Sequence, residues 1–173
     1  VHESGEDPEG VVDALITASR ALVAVAARSV ADLGDVTLPQ YRALVVLAGR
    51  GPQRGVDLAA ELGVTPSTAT RLIDRLVKAD LVDRQPLSGD RRAVEVTLKP
   101  AGKRYVAKVT RRRREEIRRI VARMSPQEQA GAVAGLRALA NAAGEVPEQQ
   151  WWLGFEQLER YEQDEEVEGE HRS

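Results

Sequence analysis

The chain has 173 residues, 42% of them hydrophobic but only 3% aromatic, with a formal net charge of -2. This is enough apolar material for one ordinary domain, and the bias toward Ala, Val and Leu favours closely packed helices over an aromatic-rich sandwich. The absence of cysteine excludes disulfides, thiolate metal sites and a thiol switch. The two histidines, His2 and His171, lie near the ends, so a His-based metal cluster or Ser-His pair has no internal residues to use.

Residues 1–10 are polar and acidic without an apolar period, and are expected to form a disordered tail. They lack the basic and apolar regions of a secretion signal, and no apolar run is expected to approach the ~20 residues of a membrane span, so a soluble cytoplasmic protein is expected. From Val11 to Leu33 the apolar residues recur at three-and-four spacing, which predicts a long first helix. After a Gly34-Asp35 break, Thr37 and Gln40 read as a capping box opening a second helix that ends near Gly49-Arg50-Gly51-Pro52.

Gly55 to Glu61 reads as a short helix with Val56, Ala59, Ala60 and Leu62 turned inward, stopped at Gly63, which takes a left-handed backbone at low cost. Thr65 caps the next helix and Pro66 fits its first turn. Its buried stripe is expected at Ala69, Leu72, Ile73, Leu76 and Val77, leaving Ser67, Thr70, Arg71, Arg75 and Lys78 on other faces. Leu81–Gln85 and Ala93–Leu98 are strand candidates joined through Ser88-Gly89-Asp90.

Pro100 to Met124 is a long polar helix with Val106, Val109, Ile117 and Ile120/Val121 spaced along one side. A capping box at Ser125 and Glu128 then starts another helix, with Val133, Leu136 and Leu139/Ala140 expected inward and Gly144 to Pro147 closing it. The residues beyond carry Trp151-Trp152 and Phe155, then an acidic tail. Charge divides sharply along the chain: residues 65–125 hold 17 Lys and Arg against 7 Asp and Glu, and residues 145–173 hold 2 against 10. A low overall charge therefore does not exclude nucleic acid, because binding depends on the local patch.

Leu58-Ala59-Ala60-Glu61-Leu62-Gly63-Val64-Thr65 leading into Thr70-Arg71-Leu72-Ile73-Asp74-Arg75-Leu76, and then Gly89-Asp90-Arg91-Arg92, resembles the MarR family of bacterial regulators. The resemblance covers roughly residues 11–144. It implies a mainly α fold with a small β-wing: a winged helix-turn-helix lobe at 37–98 and dimerisation helices at 11–34 and 100–144, followed by an extension at 145–173. Lys99 stands where the family commonly has a threonine before the last long helix.

By the same resemblance the chain is a homodimeric regulator, expected to be a repressor, of double-stranded DNA with a pseudo-palindromic site. No enzyme activity, catalytic residue, metal or cofactor is implied. The DNA-binding set is Arg54, Thr65, Ser67, Thr68, Thr70, Arg71, Arg75, Asp90, Arg91 and Arg92. Thr65 serves equally as an N-cap, the arginines of the fourth helix could be a solvated face, and Asp90 could be a simple turn residue. Arg92 is the better candidate for a narrow minor groove. Asp74 is expected to steer an arginine.

A small organic effector between lobe and dimer base is one expectation and a ligand-free regulator another. Arg20, Arg28, Tyr41 and Arg42 fall near such a site by helix order, although surface or core roles account for each. The Arg111–Arg114 run points in several directions around a helix and reads as a solvated, ion-paired stretch. The alternative to a DNA reader is a winged-helix protein-interaction module that uses the Trp cluster and acidic tail as its contact surface.

Overall fold

A computed structural model of the chain describes residues 8–31, 36–87 and 90–151, and for residues 87 and 90–93 it describes the backbone only. Its elements run α1 (Pro8–Ala31), α2 (Leu38–Arg50), β1 (Gln53–Arg54), α3 (Gly55–Glu61), α4 (Pro66–Lys78), β2 (Val82–Leu87), β3 (Asp90–Leu98), α5 (Pro100–Val121), α6 (Pro126–Ala142) and a 3₁₀ turn at Glu148–Gln150. The chain is mainly helical with one small antiparallel sheet, in the order β1-β3-β2.

Local chemistry sets most of the boundaries. The Thr37 N–H donates to the Gln40 side chain at 2.7 Å, opening α2 as the sequence predicts. Gly63 has φ +63 and ends α3, while Pro66 and Pro126 occupy first turns where no donor is lost. α1 starts at Pro8, inside the expected tail. β1 was not foreseen, because two residues are too few to show alternation; it pairs with β3 through Gln53 opposite Val96 and Arg54 opposite Glu95.

The main core joins α2, α3, α4, the sheet and the start of α5 around Leu44, Leu47, Leu58, Leu76, Val82 and Val106. A second cluster of Val30, Tyr41 and Val109 fastens the end of α1 to α2 and α5. In α3 the inward residues are Leu58 and Ala59, whereas Val56 and Ala60 are exposed. A helix of seven residues shows only one narrow side to the core, and that side passes through Leu58.

Three helices leave apolar residues bare. α6 buries none of its residues, and Val133, Leu136 and Leu139, expected inward, are 49%, 50% and 41% exposed. Ile120 and Val121 at the end of α5, and Val11, Val12, Ile16, Leu22 and Val23 of α1, are likewise exposed. By length and composition α1 could cross a membrane. The expectation of no such run missed this because Asp13, Thr17, Ser19 and Arg20 interrupt the apolar residues without outweighing them. The expected Gly34-Asp35 break, the Ser88-Gly89 turn, Trp152, Phe155 and the acidic tail lie outside the described residues.

Candidate nucleic-acid interface

Two adjacent starts, Arg54 before α3 and Thr65 before α4, set the orientation of the helix pair. Thr65 is extended, at φ -68 and ψ 151, and its Oγ1 accepts from the Thr68 N–H at 3.3 Å. The same oxygen lies 2.9 Å from Thr68 Oγ1 and 3.1 Å from Ser67 Oγ. Thr70 Oγ1 donates to the Pro66 carbonyl at 2.9 Å. Several of the hydroxyls predicted to meet DNA are therefore held at one helix end, where free N–H groups and the helix dipole favour an anion.

Along α4 the periodicity separates two faces. Ala69, Leu72, Ile73 and Leu76 are buried, while Ser67, Thr70, Arg71, Asp74, Arg75 and Lys78 recur at three-and-four spacing on the opposite side and are exposed. Val77, expected in the buried stripe, is 37% exposed, because it lies off the centre of that stripe at the end of the helix. Arg71 and Arg75 make no ion pair among the described residues. Arg75 also borders, with Lys78, Gln40 and Val36, a shallow depression against the start of α2.

Asp74 does hold an arginine, and that arginine is Arg84 of β2, at 2.6 Å. Arg84 was absent from the sequence-derived site; no local signal marks it, because Asp74 has Arg71 and Lys78 one turn away on its own helix and pairs across to β2 instead. Arg54 pairs with Asp57 at 2.8 Å, and the hydrogen bond and charge of that carboxylate hold the Arg54 guanidinium above its ordinary pKa. On the edge strand β1 it stands opposite Glu95.

β2 and β3 form the wing. Their register runs from Val82 opposite Leu98 to Leu87 opposite Asp90, with an irregularity between Pro86 and Leu87. Asp90, Arg91 and Arg92, expected on a loop tip, begin strand β3, and their side chains lie outside the described residues. Lys99 N-caps α5 without a side-chain cap bond; its ammonium pairs instead with Asp80, which raises the Lys99 pKa. Asp80 has φ +61, the sharp bend by which the chain leaves α4 for β2.

Behind this surface lies a cleft of about 510 Å³ whose walls include Ala26, Tyr41, Arg42, Leu62, Leu72 and Arg113. It joins α1 and α5 to the lobe helices and is mostly apolar, with two guanidiniums. Burial raises the Tyr41 hydroxyl pKa, with a hydrogen bond to Thr110 acting the other way. Of the residues expected near such a site, Tyr41 and Arg42 line it. Arg28 instead pairs with Glu116 at 2.7 Å, and Arg20 is a surface residue of α1. Arg113, inside the four-arginine run, was not foreseen.

The MarR family model matches residues 36–94, the span from the start of α2 into the wing. The chain is 32% identical over 115 residues to the uncharacterized HTH-type transcriptional regulator YfiV of Bacillus subtilis, covering 64% of this chain and 72% of that protein. Among solved structures it is similar to RV1404 of Mycobacterium tuberculosis, with 44% identity and a TM-score of 0.76 over 85% of this chain and 99% of the other. BpsR of Bordetella bronchiseptica, solved in a study of how 6-hydroxynicotinic acid regulates its DNA binding, gives 25% identity and a TM-score of 0.59 over 76% and 98%. The separated faces of α4, the three-stranded sheet with its β2–β3 wing and these likenesses agree: the chain belongs to the MarR family of winged-helix transcriptional regulators, which bind DNA and are not enzymes.

Proposed function

We propose that this chain is a homodimeric, sequence-specific repressor that sets α4 into a major groove and the β2–β3 wing beside it on the minor groove. The observation that carries the reading is the polar face of α4. Ser67 and Thr70 lie near its N-terminus, followed by Arg71 and Arg75, which make no ion pair among the described residues, all opposite the stripe that anchors the helix. Hydroxyls and a helix N-terminus suit phosphate oxygens, and an arginine fork suits guanine O6 and N7. Thr65, Thr68, Arg54 and Asp90 act as caps and orienting groups around that face, while Arg91 and Arg92 supply the wing.

A second copy is supported by the bare faces of α1, α5 and α6, since a helix with a continuous apolar stripe must bury it. Joined through these helices, two lobes present two α4 helices to a pseudo-palindromic site, one helical turn of about 34 Å apart. The mostly apolar cleft, with Arg42 and Arg113 on its walls, supports a small organic ligand bearing negative charge. Such a ligand would act by favouring one lobe position over another. BpsR, whose DNA binding responds to 6-hydroxynicotinic acid, provides a related precedent. The rival protein-docking surface loses Trp151, which is only 9% exposed and belongs to the lobe core.

Footprinting on the DNA upstream of the chain's own gene tests the reading, with a protected palindrome expected. Duplex binding should weaken steeply with salt and be lost when Arg71, Arg75 and Arg92 are all replaced by alanine. Binding that survives the triple variant at unchanged salt dependence would overturn it.

A further inference from the structure

α6 buries nothing against its own chain, yet the segment that follows it is firmly attached elsewhere. Trp151 is 9% exposed and sits in the main core beside partly buried Val146. Its indole N–H donates to the Val146 carbonyl at 2.9 Å, and its ring lies over Gly49 of α2, so that a Cβ there would come within 3.4 Å of Cδ1.

Three further contacts fix the strap at residues 144–151. Arg42 donates to Glu145 at 3.0 Å, Arg50 donates to the Gly144 carbonyl at 2.9 Å, and Glu148 pairs with Arg114 of α5. The strap thus spans three bodies: it leaves α6, crosses α5, and inserts its one large side chain into the helix on which the winged lobe is built. Ion pairs this exposed contribute little individually. A buried indole with its N–H satisfied contributes much more.

We propose that Trp151 is a positioning residue for DNA reading: the strap is a latch that fixes the angle between the winged lobe and the α5–α6 base. The function of the latch rests on the DNA-reading proposal above, but the latch itself can be measured without DNA. Arg42 belongs both to the cleft wall and to the latch, so the two sites share a side chain.

The native chain has no cysteine, so two can be introduced and spin-labelled cleanly. Ala60→Cys on α3 and Gln127→Cys at the start of α6 lie on exposed positions away from the strap. Diluting the doubly labelled protein into unlabelled protein restricts the reading to distances within one chain. The full chain should give one narrow lobe-to-base distance, and Trp151→Ala a broadened and shifted distribution while far-UV circular dichroism stays native. Trp151→Phe, which keeps most of the packing, should restore the narrow distribution.

If Trp151→Ala does not fold, Glu145→Gln is read in its place and should broaden the distribution to a lesser extent. An unchanged distribution in a folded variant would overturn the latch. On operator DNA the released lobe should lose about 10-fold of its discrimination against half-sites moved by one base pair. A purely structural role for Trp151 would weaken binding equally at every spacing. Failure of duplex binding by the intact protein would instead sink the DNA reading and leave the distance result standing.

Discussion

Asp74, in the middle of the exposed face of α4, accepts a hydrogen bond from Arg84 of β2 at 2.6 Å and thereby ties α4 to the root of the wing. Both side chains are substantially exposed, at 53% and 38%. The pair therefore contributes up to about 1 kcal/mol to stability, and its larger effect is on orientation. Asp74→Ala should leave the urea midpoint nearly unchanged but weaken duplex binding several-fold, and Arg84→Ala should do the same. A double-mutant cycle on duplex affinity, measured by anisotropy, should show the two losses to be non-additive; full additivity would mean that the ion pair does not act in binding.

Thr65 joins folding to the proposed binding surface in a different way, since its Oγ1 both accepts the Thr68 N–H and lies against two other hydroxyls. Thr65→Ala should cost about 1 kcal/mol through the lost cap, whereas Thr65→Ser should recover most of it. Chemical denaturation reads the first effect. Equal losses for both variants would place the role of Thr65 in its methyl packing.

Gly102 lies on the side of α5 pressed against the strand entry. A Cβ at this position would be 2.1 Å from the Leu81 carbonyl oxygen, the same oxygen that accepts the Lys99 N–H at 3.0 Å. Backbone cannot yield as a flexible side chain can, so Gly102→Ala should destabilise by about 1–3 kcal/mol or more. A thermal melt within a degree of the parent would show that α5 shifts freely on the lobe.

The winged lobe was legible in the sequence because its signals are local. Caps at Thr37 and Thr65, the left-handed Gly63 and the four-residue stripe Ala69, Leu72, Ile73 and Leu76 each lie within a few residues of what they determine. The misses are long-range. Nothing near Arg84 names Asp74, nothing near Trp151 names Gly49, and a two-residue strand such as β1 exists only because β3 passes beside it. For α6 the periodicity marks the helix and its apolar face, but it carries no information on whether that face is covered by its own chain or by another. Val133 and Leu136 are half exposed for that reason.

Acid should loosen the start of α6 first. The Ser125 N–H and hydroxyl donate to Glu128 at 2.7 and 2.8 Å and hold its carboxyl below the ordinary value of 4.5. A lowered folded-state pKa means that the contribution is complete above the unfolded value and disappears as pH falls through the lower folded one. Amide exchange in the first turn of α6 should therefore accelerate as pH drops through the carboxylate range, after correction for intrinsic rates. Glu128→Gln should remove the pH dependence, and its persistence in that variant would assign the effect to another group.

The exposed stripe of α6 provides the most direct test of assembly. Val133, Leu136 and Leu139 are each 40–50% exposed, and the groove that Val133 and Leu136 border with α5 and the strap encloses about 880 Å³. Ile117 and Ala140 also line that groove, so a helix with a complementary face would bury apolar surface on both sides. The uncovered side of α1, with Val11, Val12 and Ile16, is such a face, and a second copy would provide it. A carboxylate in that contact would have to be desolvated without a partner. Leu136→Glu should thus shift the protein from dimer to monomer in light scattering, with circular dichroism unchanged because Leu136 contributes nothing to the core of its own chain. The monomer should also lose operator affinity far more than a single phosphate contact would account for, since one lobe reads only half of a two-fold site. A Leu136→Glu protein that remains dimeric would remove α6 from the interface.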